Sequence, residues 1–246
     1  MMIMRGLIIF LGLLGLWHLL VLITGVPPYI LPAPIQVGEA FVGNWQSLLG
    51  HLLITLAEIG GGIIMGTLLG VCSALLMTTF KPVKRWLLPV LVISQAIPVF
   101  ALAPILILWL GYGMGSKIAM AVLIIFFPVT AAFYDGLRRT HPQWLELARI
   151  MGADAWTMIS RIRVPAAMPA LASGIRIAAT VAPIGAVVGE WVGASRGLGY
   201  YMLHANARMQ TDQMFAALLL LALAALALYY GIDAVLKRMI YREECQ

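Results

Sequence analysis

The chain has 246 residues, 62% of them hydrophobic and 11% charged, with a formal net charge of +6. Its mean hydropathy is +0.97. A soluble domain averages about 45–50% apolar and about 25% charged residues, so a cytosolic enzyme, a disordered tail and a secreted disulfide scaffold are all excluded. The expectation is an all-α, polytopic membrane protein.

In chain order, the first apolar run covers residues 6–26, after Arg5. It is followed by Pro27 and Pro28 and not by a small-residue cleavage site, so it reads as an uncleaved span. A proline-rich, nearly uncharged loop, PPYILPAPIQVGEAF, comes next. Five further runs near 52–79, 86–110, 117–134, 167–190 and 214–235 bring the expected number of transmembrane helices to six, in one domain over residues 1–246. Barrel strands would alternate over about 10 residues, and these runs do not. No internal repeat is visible.

Basic residues set the orientation. With the N-terminus inside, the inner segments hold Arg5, Lys81, Lys84, Arg85, Arg138, Arg139, Arg149, Arg161, Arg163, Lys237, Arg238 and Arg242. The outer segments hold only Lys117, Arg196 and Arg208. Both termini are therefore expected to be cytoplasmic. This pattern accounts for the positive charge without a nucleic-acid partner. Cys72 lies in an apolar run and Cys245 is next to last, so no disulfide is expected.

Polar groups inside spans are functional candidates by default. Glu58 in the second span either lines a pathway or pairs with a group such as His51. Glu190, at the end of the fifth span, either lines the mouth or caps the following loop. Gln95 and Ser94 share a helix face with Pro98, where they either line the path or bond a neighbouring helix. Arg176 either pairs with an acid on another helix or snorkels inward. Gly62, Gly66 and Gly70 form overlapping G-x-x-x-G steps, suited to packing within the chain or between two chains. The four histidines, His18, His51, His141 and His204, have no metal spacing, so no metal is expected. No nucleophile–base arrangement is visible, and no catalytic residue is expected. There is no G-x-x-x-x-G-K-[ST] phosphate loop; the glycine-rich stretch from Gly111 to Lys117 has the wrong spacing.

The longest polar segment, residues 135–165, reads as two short helices around a bend. Pro142 suits a first helical position, Gly152 suits a left-handed helix end, and Asp154 suits an N-cap. Pro165 is expected to stop the second helix and Pro169 to open the next span. Trp144, Leu145, Ile150, Met151, Trp156 and Ile159 give the loop more apolar surface than water requires, which suggests a protein partner.

The spacing Glu146, Ala148, Gly152, Ile162, Pro165 resembles the EAA loop of permease subunits of bacterial binding-protein-dependent ABC importers. Leu147 and Val164 depart from the usual residues there, and both remain apolar. Pro98, Ala101, Pro104, Gly111 and Gly113 resemble the nitrate, sulfonate and taurine permease group, as do Arg176, Glu190, Gly193, Ala194, Ser195, Gly197, Leu198 and Gly199. His204, Asn206, Ala207, Arg208, Thr211 and Asp212 look closer to permeases for thiamine pyrimidine precursors such as hydroxymethylpyrimidine.

The resemblance implies the type I (MetI-like) importer permease fold. It also implies two cytoplasmic ATPase subunits, a solute-binding protein, and a second permease copy, as a homodimer. ATP and Mg would be handled on the partner ATPase, with no cofactor in this chain. Glu146 would pair with a basic residue of the ATPase, Gly152 would permit the bend and Ala148 a close approach. Sulfonate, taurine or nitrate are alternative substrates for the same machinery. An ion-gradient-driven secondary transporter is the rival of another class, with Glu58 as its slender support.

Overall fold

A computed structural model describes residues 2–244, with side chains described from Leu11 to Met239. Cys245 and the side chains of Arg5 and Arg242 lie outside the described residues. Within them the chain is helical and contains no strand. The helices are α1 (Met2–Thr24), α2 (Pro34–Gly43), α3 (Trp45–Thr79), α4 (Lys81–Ala96), α5 (Val99–Leu110), α6 (Met114–Arg138), α7 (Pro142–Ile150), α8 (Ala155–Met158), α9 (Val164–Gly193), α10 (Leu198–Ala207) and α11 (Thr211–Glu244).

Among the described residues, four helical stretches are long and apolar enough to cross a membrane: Trp45–Thr79, Met114–Arg138, Ala155–Gly193 and Thr211–Met239. The pair α4 and α5 makes a fifth if taken as one broken span, and the described apolar part of α1, Leu11–Thr24, is shorter.

Two expectations need correction. The run at 86–110 is not one helix: the chain bends by 106° between α4 and α5. The cause is local, because Pro98 drives the preceding residue out of the helical region and Ile97 sits at φ −85°, ψ 121°. Pro165, in turn, does not stop a helix. Residues Ile159–Arg163 form a π-turn that joins α8 to α9, so the chain stays helical from Ala155 to Gly193. The wider turn places Pro165 second in α9, where its missing N–H and bulky ring are tolerated. The fifth span and the loop at 135–165 therefore overlap.

The chain divides into two compact units. The first comprises Met1–Thr55 and Ser195–Leu223. Here the Thr211 hydroxyl donates to the Pro28 carbonyl at 2.8 Å, and the Tyr201 hydroxyl donates to Gln213 Oε1 at 2.9 Å. Burial, and then the Asp212 carboxylate, push the Tyr201 phenol up, which keeps it a donor. His51 Nδ1 accepts the Gly197 N–H at 3.0 Å, and Thr55 Oγ1 accepts the Leu198 N–H at 2.9 Å.

The second unit comprises Leu56–Ala194 and Ala224–Gln246. Its centre is the seam of α6 and α9, made from small residues because no apolar driving force draws helices together in lipid and close packing must do so. A Cβ on Gly185 would lie 2.6 Å from Ala121 Cα, and one on Gly136 would lie 2.7 Å from Ala170 Cβ. Gly62, Gly66 and Gly70 of α3 face Ala121, Ile125 and Val129 of α6 in the same way. Arg176 Nε donates to Asp233 Oδ1 at 2.6 Å, joining α9 to α11, and Lys237 Nζ reaches Asp233 Oδ2 at 2.7 Å.

Candidate functional site

The elbow between α7 and α8 is built by two local rules. At the end of α7 the Gly152 N–H donates to the Arg149 carbonyl at 3.0 Å and the Ala153 N–H to the Ala148 carbonyl at 2.9 Å. This is a Schellman turn, which requires a left-handed residue, and Gly152 has φ +79°. Asp154 then caps α8: its Oδ1 accepts the Thr157 N–H at 3.2 Å. That bond holds the Asp154 carboxyl below the usual carboxylate range.

The elbow presents an apolar face. Trp144, Leu147, Ile150, Met151 and Trp156 are all exposed, Ile150 at 84%. Glu146 is exposed on the same short helix, while Ala148 is buried. Ile162 is half-buried in the π-turn and Pro165 is exposed at the start of α9. The five residues of the EAA-like pattern thus occupy one helix–bend–helix segment. It is continuous with α9, so displacement of the elbow would be carried directly into a long helix.

The candidate pathway residues are arranged differently. Glu58 of α3 and Glu190 of α9 come together: their side chains share a hydrogen bond, and both are buried. Lys117 of α6 acts on Glu58 electrostatically, and its Nζ donates to the carbonyls of Gly113 and Gly193, each at 3.0 Å, and to that of Tyr112. Within this unit the partner of Glu58 is Glu190. Gln95 does not join this group; it is exposed, next to last in α4. Lys117 was missed by sequence reasoning, which placed it in an outer segment. Its position in the first turn of α6, just after the glycine-containing break at 111–113, was the available signal.

The sequence family described as "Binding-protein-dependent transport system inner membrane component" matches residues 62–241. A "Probable ABC transporter permease protein" of Haemophilus influenzae is 54% identical over 229 residues, covering 93% of this chain and 94% of that one. The formylaminopyrimidine transport permease protein ThiX of Halalkalibacterium halodurans is 42% identical, covering 87% of this chain and 86% of its own. The putative aliphatic sulfonates transport permease protein SsuC of Bacillus subtilis is 31% identical, covering 89% and 80%. Among solved structures, a chain of the MetNI methionine ABC transporter superposes with a TM-score of 0.67, covering 80% of this chain and 98% of that one at 18% identity, which is a likeness of fold.

Proposed function

The chain belongs to the binding-protein-dependent transport system inner membrane component family, and from that premise we propose that two identical copies form the path by which a thiamine pyrimidine precursor is imported. It is the transmembrane permease subunit of an ABC importer and is not itself an enzyme; ATP is hydrolysed on a separate subunit. The family implies both that ATPase and a solute-binding protein as partners. The finer reading places the chain in a bacterial inner membrane with both termini cytoplasmic, in keeping with its Lys and Arg distribution.

The observation that carries the coupling role is the elbow: an exposed apolar face beside an exposed Glu146, on a bend fixed by Gly152 and tied into α9. Such a surface fits a cleft with an apolar floor and a basic residue at its rim. ATP, with its Mg, would be bound on the partner. Closure of the ATPase pair would draw the elbows together, rock the attached helices and open the path to the solute-binding protein. The substrate reading is supported by the order of the relatives: the formylaminopyrimidine permease is 42% identical, the aliphatic sulfonate permease 31%.

The test combines two measurements on the importer purified in mild detergent. Glu146→Lys should still insert, yet lose the ATPase on purification and reduce ATP-dependent uptake to background. The attachment should weaken by at least about tenfold, the equivalent of about 1.4 kcal/mol. Wild-type uptake in that variant would sink the coupling role. For substrate, labelled hydroxymethylpyrimidine should enter cells that express the whole importer, and unlabelled taurine should not compete. Uptake of labelled taurine in place of hydroxymethylpyrimidine would move the assignment to the sulfonate group.

A further inference from the structure

Three ionisable side chains meet where α3, α6 and α9 converge. Glu58 is 2% exposed, Glu190 0% and Lys117 4%. Glu190 of α9 and Lys117 of α6 both act on Glu58. The approach is close: a Cβ on Gly189 would stand 3.1 Å from both Cα and Cγ of Lys117. One carboxyl oxygen of Glu58, Oε2, is buried with no hydrogen-bond partner.

The chemistry of the contact is restrictive. An ionised carboxylate only accepts hydrogen bonds, so two carboxyl groups bond to each other only if a proton lies between them. With one shared proton the pair carries a single negative charge, and Lys117 carries a single positive one. The cluster is then neutral, which is the condition for burying ionisable groups. With no proton it would hold two adjacent negative charges; with two, Lys117 would be uncompensated.

We propose that Glu58 and Glu190 form a buried binding site for one proton, counter-charged by Lys117, and that this proton clasps α3 to the end of α9 until the helices part. On parting, the O–H bond breaks, the proton leaves to water, and both carboxylates become hydrated. Parting is therefore coupled to the release of one proton and is favoured by higher pH at the side to which the site opens. The inference goes beyond the import reading and is independent of the substrate.

The experiment uses the whole importer, permease with its ATPase, in lipid nanodiscs. Infrared difference spectra of wild type against Glu58→Gln and against Glu190→Gln should each show loss of one protonated-carboxyl band at neutral pH. Both variants keep the cluster neutral with a Gln amide donating to the remaining carboxylate, so both should fold. Lys117→Met should roughly double the band, because the pair then takes up a second proton to stay neutral. In proteoliposomes, ATP-driven uptake limited by parting should rise with pH by up to about tenfold per unit, the slope for one proton, and Glu58→Gln should be flat. Absence of the band in wild type, its survival in both Gln variants, or the same pH profile in wild type and Glu58→Gln would overturn the proposal. Failure of the import reading would look different: no ATP-dependent uptake, with the band intact.

Discussion

Two helix ends in this molecule share one hydrogen-bond pattern and differ in one residue. At the end of α7 the N–H groups of Gly152 and Ala153 return to Arg149 and Ala148; at the end of α10 those of Met209 and Gln210 return to Asn206 and Ala205. Both turns need a left-handed residue. Gly152 supplies φ +79° without penalty, whereas Met209 is held at φ 60° as the one non-glycine residue with positive φ among the described residues. A side chain there costs about 1–2 kcal/mol. The elbow at Gly152 leaves an apolar face exposed. The turn at Met209 leads straight into Thr211, whose hydroxyl is bound to Pro28, and borders a cavity of about 410 Å³ that also includes Glu39 and Asp212. The bend with an exposed apolar face is built from the relaxed residue, and the bend tied down within its own unit tolerates a strained one.

The largest effect is expected at Gly152. Nothing lies within 4 Å of a Cβ added there, so a substitution acts through the backbone alone. Gly152→Val should misdirect α8 and reduce ATPase co-purification by about tenfold, since a β-branched residue resists the left-handed region. Gly152→Asn should fall between, because Asn tolerates that conformation. Equal recovery of ATPase with Gly, Asn and Val would show that the bend does not set the docking geometry. The opposite substitution sharpens the contrast. Met209→Gly removes the strain and, as Met209 is exposed, loses little packing. After the added entropy of a glycine in the unfolded chain, a gain of about 0.5–1 kcal/mol is expected, seen as a higher thermal midpoint in detergent. A lower midpoint would mean that the Met209 side chain does more for its cavity than its exposure indicates.

The elbow was legible in the sequence and the carboxyl pair was not, for a physical reason. Gly152 and Asp154 obey rules of a few residues' range, a left-handed helix end and an N-cap, so their roles follow from neighbours alone. The apolar runs that became α3, α6, α9 and α11 are legible for the same reason, since run length is a local property. The partnership of Glu58 with Glu190 and Lys117 depends on which faces of three helices meet, and a uniformly apolar span carries little periodic signal to say so. The break at Ile97–Pro98 lay within reach, because Pro98 restricts its predecessor. The continuity through Pro165 did not: a π-turn inserts one residue per turn without any mark in composition.

The smallest expected effect tests whether the elbow's second half is held as locally as its first. Asp154 accepts the Thr157 N–H, and that bond depresses its carboxyl below the ordinary value. A group whose folded value is depressed contributes stability that is fully present above its unfolded value and is lost as pH falls through the folded one. At neutral pH the cap is therefore complete, and acidification below the usual carboxylate range should release it. Amide hydrogen exchange at Thr157, corrected for the intrinsic pH dependence of exchange, should become severalfold less protected on acidification. Asp154→Ala should show that lower protection already at neutral pH and no further change in acid, because its cap is missing at both. An acid response retained in the variant would place the titrating group elsewhere on the elbow, and Glu146, exposed on α7, would be the next carboxylate to replace.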